Sequence, residues 1–173
     1  QRAVRDMFIF CCFTGLAYID LKNLTYDHIV TTPTGEQYIY NRRQKTGTPY
    51  HIMLLPIAQE LIERYRGYPG KIDETRVFPV KSRKSMCTTI KRITKNLSTH
   101  IGRHTFGTTV TLEKGVPIET VSEMLGHKQI TTTQIYAKLT ANKMKEDVRL
   151  LTQRIGNLYE LTQPTTRLLS KEA

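Results

Sequence analysis

Cysteine, long apolar runs and acidic residues are all scarce in this chain, and each shortage removes a class of protein. Cys11, Cys12 and Cys87 are the only cysteines, an odd count with two adjacent and no C-x-x-C pair. That excludes a disulfide framework and a thiolate zinc site, and it fits a reducing cytosol. No stretch approaches the roughly 18 apolar residues that span a bilayer; the best, Met7 to Leu16, is too short and follows Arg5-Asp6. No secretory signal, internal repeat or low-complexity segment is visible. Asp and Glu number 15 against 26 Lys and Arg, a net charge of +11. Such an excess favours a polyanion, by attraction and by release of counterions from phosphates. What remains is an ordinary globular composition, 39% hydrophobic and 24% charged over 173 residues. That is one domain's worth, able to bury a core unaided. The chain does not begin with Met and its first residues already read as helix, so a piece of a longer protein is expected.

Periodicity predicts a mainly α domain with a small antiparallel β-sheet near its N-terminal side, an α+β class. Val4 to Phe13 reads as a buried helix stopped by Thr14-Gly15, followed by a short amphipathic piece, Ala17 to Leu24. Three β-type runs follow, Asp27 to Thr31, Gln37 to Tyr40 and Tyr50 to Leu55, separated by Thr34-Gly35 and by Lys45-Thr46-Gly47-Thr48. Pro56 starts a helix running to Tyr65. Further helices are expected at Ser85–Asn96, Thr99–Glu113, Ile118–Leu125, Thr131–Leu139 and Asn142–Leu161, with a flexible tail from Pro164 onward.

The chemistry concentrates in Ser98-Thr-His100-Ile-Gly-Arg103-His104-Thr-Phe-Gly-Thr108. Ser98 or Thr99 can cap a helix whose N-terminus favours an anion. His100 and Arg103, three apart, share a face. Arginine grips a phosphate through two parallel hydrogen bonds, and a histidine beside it can hydrogen-bond an oxygen or move a proton. Gly126 ends a helix and places His127 at an exposed turn, and Tyr136 follows nine residues later. A phenol is a poor nucleophile until cationic neighbours stabilise its phenolate.

These motifs, in this order, resemble the C-terminal signature of the tyrosine recombinase (phage integrase) family: His100-Ile-Gly-Arg103-His-Thr-Phe, Leu-Gly-His127 and Thr-Thr-Gln-Ile-Tyr136. The resemblance reaches upstream to Phe13-Thr-Gly-Leu-Ala-Tyr-Ile-Asp20 and Arg43-Gln-Lys45-Thr-Gly47, and covers about residues 5 to 140. It implies the catalytic-domain fold of that family, over residues 1–163 here, without the N-terminal DNA-binding domain of relatives. It also implies a mobile-element integrase that breaks and rejoins double-stranded DNA. Tyr136 would attack the scissile phosphate, Arg103 would hold its non-bridging oxygens, and Lys45 would protonate the leaving 5′-oxygen. His100 would assist proton transfer and His127 would hydrogen-bond the phosphate. No metal and no cofactor is implied. A homo-tetramer on DNA and a bacterial cytosolic, nucleoid-associated location are.

One position departs from the pattern. Most relatives carry a second phosphate-clamping arginine where this chain has Ala17. Losing such a donor costs about 2.7–4 kcal/mol in the transition state, so either activity is weak or another cation substitutes. Arg5, Lys22, Arg42 and Arg43 are the nearest in sequence, and Arg5 is favoured. Two other readings stay open: a type IB topoisomerase-like enzyme, and a DNA-binding relative without catalysis, for which Ala17 is the support.

The remaining cations read first as solvated charge. Among them Arg42, Arg43, Arg83, Lys84 and Lys91 are candidate DNA-backbone contacts, with Lys81, Arg92 and Lys95 nearby. His100 and His104 have metal-pair spacing, but Ile101 stands where a zincin glutamate would be, so His104 reads as structural. Met144, Val148, Leu150, Leu151, Ile155 and Leu158 approximate an apolar helical stripe, which fits packing on its own domain or on a neighbouring protomer.

Overall fold

The computed structural model describes residues 1–93, 98–137 and 141–155. Lys95, Leu158 and the tail from Pro164 lie outside the described residues. The chain divides into two units, residues 1–138 and residues 139–173.

The first unit is organised around α1 (Arg2–Thr14), whose Val4, Met7, Phe10, Cys11 and Thr14 recur at helical spacing and are all buried. Phe10 meets Phe78 at 4.7 Å between ring centroids, and Phe78 meets Tyr65 at 5.4 Å. Asp6 is buried on the same helix and accepts hydrogen bonds from Arg5, Arg64 and Tyr65. Burial alone would raise its pKa, but those three donors outweigh it and hold the carboxyl below its ordinary value.

After α2 (Tyr18–Lys22) and a single 3₁₀ turn come β1 (Ile29–Thr31), β2 (Gln37–Arg42) and β3 (Pro49–Met53). They form an antiparallel sheet in the order β1-β2-β3, with Ile39 opposite both Ile29 and Ile52. Tyr50, Ile52 and Leu54 point inward while His51 and Met53 are exposed, the period-2 alternation of a half-buried sheet. β1 is shorter than expected because Asp27 and His28 belong to the 3₁₀ turn, where the Thr25 N–H donates to His28 Nδ1 at 3.1 Å.

α3 (Pro56–Arg64) opens on proline, and α4 (Arg83–Ile93) buries Met86 and Ile90 one turn apart. The single helix expected from Thr99 to Glu113 is three pieces. α5 (Thr99–Thr105) runs into a π-helical stretch, Phe106–Thr111, and then a 3₁₀ turn, Leu112–Lys114. Thr111 Oγ1 donates to the Phe106 carbonyl at 2.8 Å, five residues back, and so supports the wide turn. α6 (Ile118–Met124) and the short α7 (Thr131–Gln134) complete the unit. The second unit contains α8 (Ala141–Ile155), with an Arg149–Glu146 ion pair on its surface. Among the described residues no helix is long and apolar enough to cross a membrane.

Gly15 ends α1 in the left-handed region, at φ 66°. A Cβ there would lie 2.6 Å from Phe106 Cδ1 and 2.7 Å from Leu125 Cδ2. Gly15→Ala therefore combines overpacking with backbone strain and is expected to cost about 2–4 kcal/mol. A urea titration measures this; an unchanged midpoint would mean that α1 and α6 separate more readily than their packing suggests.

Candidate active site

Three loops and the start of two helices open onto one cavity of about 460 Å³. The junction of α1 and α2 gives Ala17, Tyr18, Ile19 and Asp20, and the β2–β3 turn gives Arg43, Lys45 and Thr46. Arg83 begins α4, His100 and Arg103 come from α5, and Gly126 and His127 follow α6. Lys45, His100, Arg103 and His127, four of the five expected catalytic residues, thus share a single wall.

The floor is the Leu125 carbonyl, left without a helical partner at the end of α6. Arg103 Nη2 donates to it at 2.7 Å while Nη1 donates to the Gly15 carbonyl at 2.7 Å. From the other side Arg43 Nε donates to the same oxygen at 2.8 Å. Gly126 (φ 61°) makes this approach possible, since a Cβ there would stand 3.0 Å from Arg43 Cγ and 3.1 Å from its Nε.

Arg43 and Arg5 each depart from an expectation. Arg43 is not solvated charge: it is buried, ion-paired with buried Asp20, and lies 4.9 Å over the Tyr50 ring. The reason is the turn itself. Arg43 N–H donates to Thr48 O and Gly47 N–H to Arg43 O, both at 2.8 Å, while the Gln44 N–H donates to Asp20 Oδ1 at 3.0 Å. These bonds fold the turn over Asp20 and carry the Arg43 side chain inward. Arg5, favoured as the substitute at position 17, does not line the cavity; it pairs with Asp6 at 2.9 Å. Ten residues separate it from Gly15, roughly 15 Å of helix at 1.5 Å per residue. Of the other backbone-contact candidates, Arg42, Arg83, Lys84 and Lys91 are exposed, and Arg83 lines the cavity.

His127 follows the Gly126 turn as expected, but it is half-buried there rather than exposed. Its Nε2 lies 2.9 Å from Arg103 Nη2 and its Nδ1 lies 2.8 Å from Thr133 Oγ1. A guanidinium only donates, so Nε2 is the acceptor and Nδ1 carries the proton given to Thr133. Burial and then the charge of Arg43 lower the imidazole's pKa, in agreement with a neutral ring. A group whose pKa is lower folded than unfolded loses stability as pH falls below the unfolded value near 6.5. The thermal midpoint is therefore expected to fall between pH 7 and pH 5. His104, whose pKa is lowered by burial and then by His100, contributes with the same sign. His127→Gln keeps an acceptor and a donor without titrating, so its melts should show a shallower acid slope. Identical slopes for the two proteins would sink the assignment.

Tyr136 stands apart from the cavity lining and is buried, 5% exposed. Its ring packs edge-on against His104 at 4.7 Å, lies parallel to His127 at 6.3 Å, and rests on Gly107, where a Cβ would come within 3.0 Å of the ring. Burial raises the phenol's pKa and the Arg43 charge offsets part of that rise. In this seat the phenol stays protonated. His104 is thus a packing partner of the tyrosine, and His100 and His104 meet each other edge-on at 5.2 Å. Among the described residues no group of three or more His, Cys, Asp or Glu is placed to hold a metal.

Asp20 and Thr133 belong to the site and were not singled out from sequence. Asp20 carried one usable signal, an acid three residues beyond Ala17 and so on the same helical face.

The phage integrase family matches residues 3–143 of the chain. Tyrosine recombinase XerA of Pyrococcus furiosus is 34% identical over 149 residues, covering 78% of this chain and 50% of that protein. Among solved structures, XerH recombinase bound to difH substrate superposes with TM-score 0.61 at 19% identity, over 86% of this chain and 46% of that one. The Tn1549 transposon integrase in complex with circular-intermediate DNA gives TM-score 0.56 at 20% identity, over 84% and 57%. The chain spans about half the length of the curated relatives it matches.

Proposed function

The chain belongs to the phage integrase family, and on that premise we propose that it cleaves and rejoins DNA strands through a covalent tyrosyl link. One observation carries the reading: Lys45, His100, Arg103 and His127, from three separate segments, line one cavity, with Arg103 fixed to the Leu125 carbonyl. Among the described residues the cavity presents guanidinium, ammonium and imidazole groups, with Asp20 as its one carboxylate. Such a wall suits the charge that builds on a pentacoordinate phosphate.

In this mechanism the Tyr136 oxygen attacks the scissile phosphorus, and the bond from phosphorus to the 5′-oxygen breaks. Lys45, exposed on its turn, gives a proton to the departing oxygen. Arg103 turns its remaining N–H groups to a non-bridging oxygen. It stays aligned by Gly15, Leu125 and His127, so little reorganisation is required. His100, exposed at the cavity edge, hydrogen-bonds the phosphate and handles the proton leaving the phenol. Religation runs the steps backward with a new 5′-hydroxyl. The energy stays in the phosphotyrosyl bond, and no nucleotide is consumed. The buried seat of Tyr136 is the resting arrangement, and the Thr131–Ala137 segment shifts to present the hydroxyl. Two rounds of exchange in a tetramer on double-stranded DNA would integrate or excise a mobile element, and the exposed Met144, Val148 and Leu151 of α8 offer an apolar face for a neighbouring protomer.

The test is a duplex nicked close to the scissile phosphate, so that cleavage traps the protein. A denaturing gel should show a covalent complex, and trypsin digestion should place the nucleotide on peptide 129–138. DNA binding without any adduct would mean that the protein binds and does not cut.

A further inference from the structure

We propose that Arg43 is the second phosphate clamp of this site, supplied by the β2–β3 turn in place of a cation at position 17. The assignment rests on the cleavage reading above and deepens it.

Position 17 lines the cavity with a methyl group only, and Arg5 is ion-paired elsewhere. Arg43 lines that cavity and is held there from three directions: by Asp20 through an ion pair, by the Leu125 carbonyl, and by the Tyr50 face beneath it. Asp20 is the third residue after Ala17 and lies in the same short helix that Ala17 caps. The carboxylate therefore anchors the guanidinium beside the position that lacks a cation.

A guanidinium has five N–H groups. Among the described residues Arg43 uses Nε toward Leu125, one Nη1 hydrogen toward Asp20 and one Nη2 hydrogen toward Leu125. One hydrogen on each terminal nitrogen is left. Arg103, joined to the same carbonyl, keeps its Nε hydrogen and one on Nη1. Two guanidinium groups that meet at one oxygen atom are spaced to take the two non-bridging oxygens of a single phosphodiester, one each. Asp20 neutralises one positive charge of the pair, which leaves the other to match the phosphodiester's single negative charge. Lys45, two residues from Arg43 on the same turn, then stands beside the clamped phosphate at the leaving-group position.

The experiment compares two nicked duplexes, one with an ordinary scissile phosphate and one with a methylphosphonate there, in which a neutral methyl replaces one charged oxygen. On the phosphate duplex Arg43→Ala should cleave about 10²–10³-fold more slowly than wild type, the effect of removing one transition-state donor, with DNA binding retained. On the methylphosphonate isomer whose methyl occupies the Arg43 side, most of that deficit should vanish, because the charge that Arg43 offsets is gone. Ala17→Arg placed in the Arg43→Ala background should restore cleavage of the phosphate duplex. Because Arg43→Ala leaves Asp20 unpaired, the double change Asp20→Asn with Arg43→Gln serves as the folded control and should show the same substrate dependence. Equal losses on both duplexes would reduce Arg43 to a structural support and overturn the assignment, as would an unimpaired Arg43→Ala. Absence of any adduct from wild-type protein would remove the cleavage reading itself, and this assignment with it.

Discussion

Tyr136→Phe is expected to yield no covalent protein–DNA complex at any enzyme concentration, while binding the same duplex as wild type. Phenylalanine has no nucleophilic atom, so the loss is complete rather than graded. The variant should fold, because the ring and not its oxygen fills the space bounded by His104, His127 and Gly107. Equal melting curves beside a blank denaturing gel would assign the missing chemistry to the oxygen alone. A surviving adduct would transfer the nucleophile's role to another residue, with Tyr18, which lines the cavity, the first to examine. The same seat sets a second expectation about rate. A phenol held at 5% exposure with a raised pKa must first leave its pocket, so cleavage should lag behind DNA binding in a stopped reaction.

Asp20→Ala carries the largest expected loss of stability, about 3–5 kcal/mol, because it removes one member of a buried ion pair and strands the other. Arg43 would keep its bonds to the Leu125 carbonyl but lose its counter-charge, and the Gln44 N–H would lose its acceptor. For a domain of this size the melting midpoint should drop by roughly 10 °C. Asp20→Asn, which keeps an acceptor for Gln44, should lose less. Adding Arg43→Met to Asp20→Ala should recover part of the deficit, since the stranded charge is then absent. If Asp20→Ala melted within about 1 kcal/mol of wild type, the pair would be worth no more than an exposed one.

Much of this architecture is legible without coordinates, for reasons that belong to particular residues. The α1 stripe of Val4, Met7, Phe10 and Cys11 and the alternation of Tyr50, Ile52 and Leu54 are periodic, and periodicity survives any tertiary context. Lys45, His100, Arg103 and His127 could be grouped because their motifs are short and ordered along the chain. The wide turn at Phe106–Thr111 could not be foreseen, because it depends on a hydroxyl reaching back to Phe106 rather than on any residue that breaks a helix. Arg43 was hidden for a different reason. A run of Arg42, Arg43 and Lys45 looks uniformly solvated, and only the turn's backbone bonds, to Thr48 and to Asp20 among them, decide which of the three turns inward. Arg5 was hidden by its neighbour: its place at the far end of α1 is legible in the sequence, but its ion pair with buried Asp6 is not.

The shared carbonyl has a consequence beyond placing two side chains. Three N–H groups, Nε and Nη2 of Arg43 and Nη2 of Arg103, converge on the one oxygen of Leu125, which has only two lone pairs. The carbonyl is oversubscribed, with more donors than good acceptor positions. An oxygen anion held by the spare hydrogens of either guanidinium would tilt that group and change how the three donors share the carbonyl. Each arginine's grip on the floor therefore depends on what the other is holding, so that the two respond to a phosphate as one unit rather than as independent contacts.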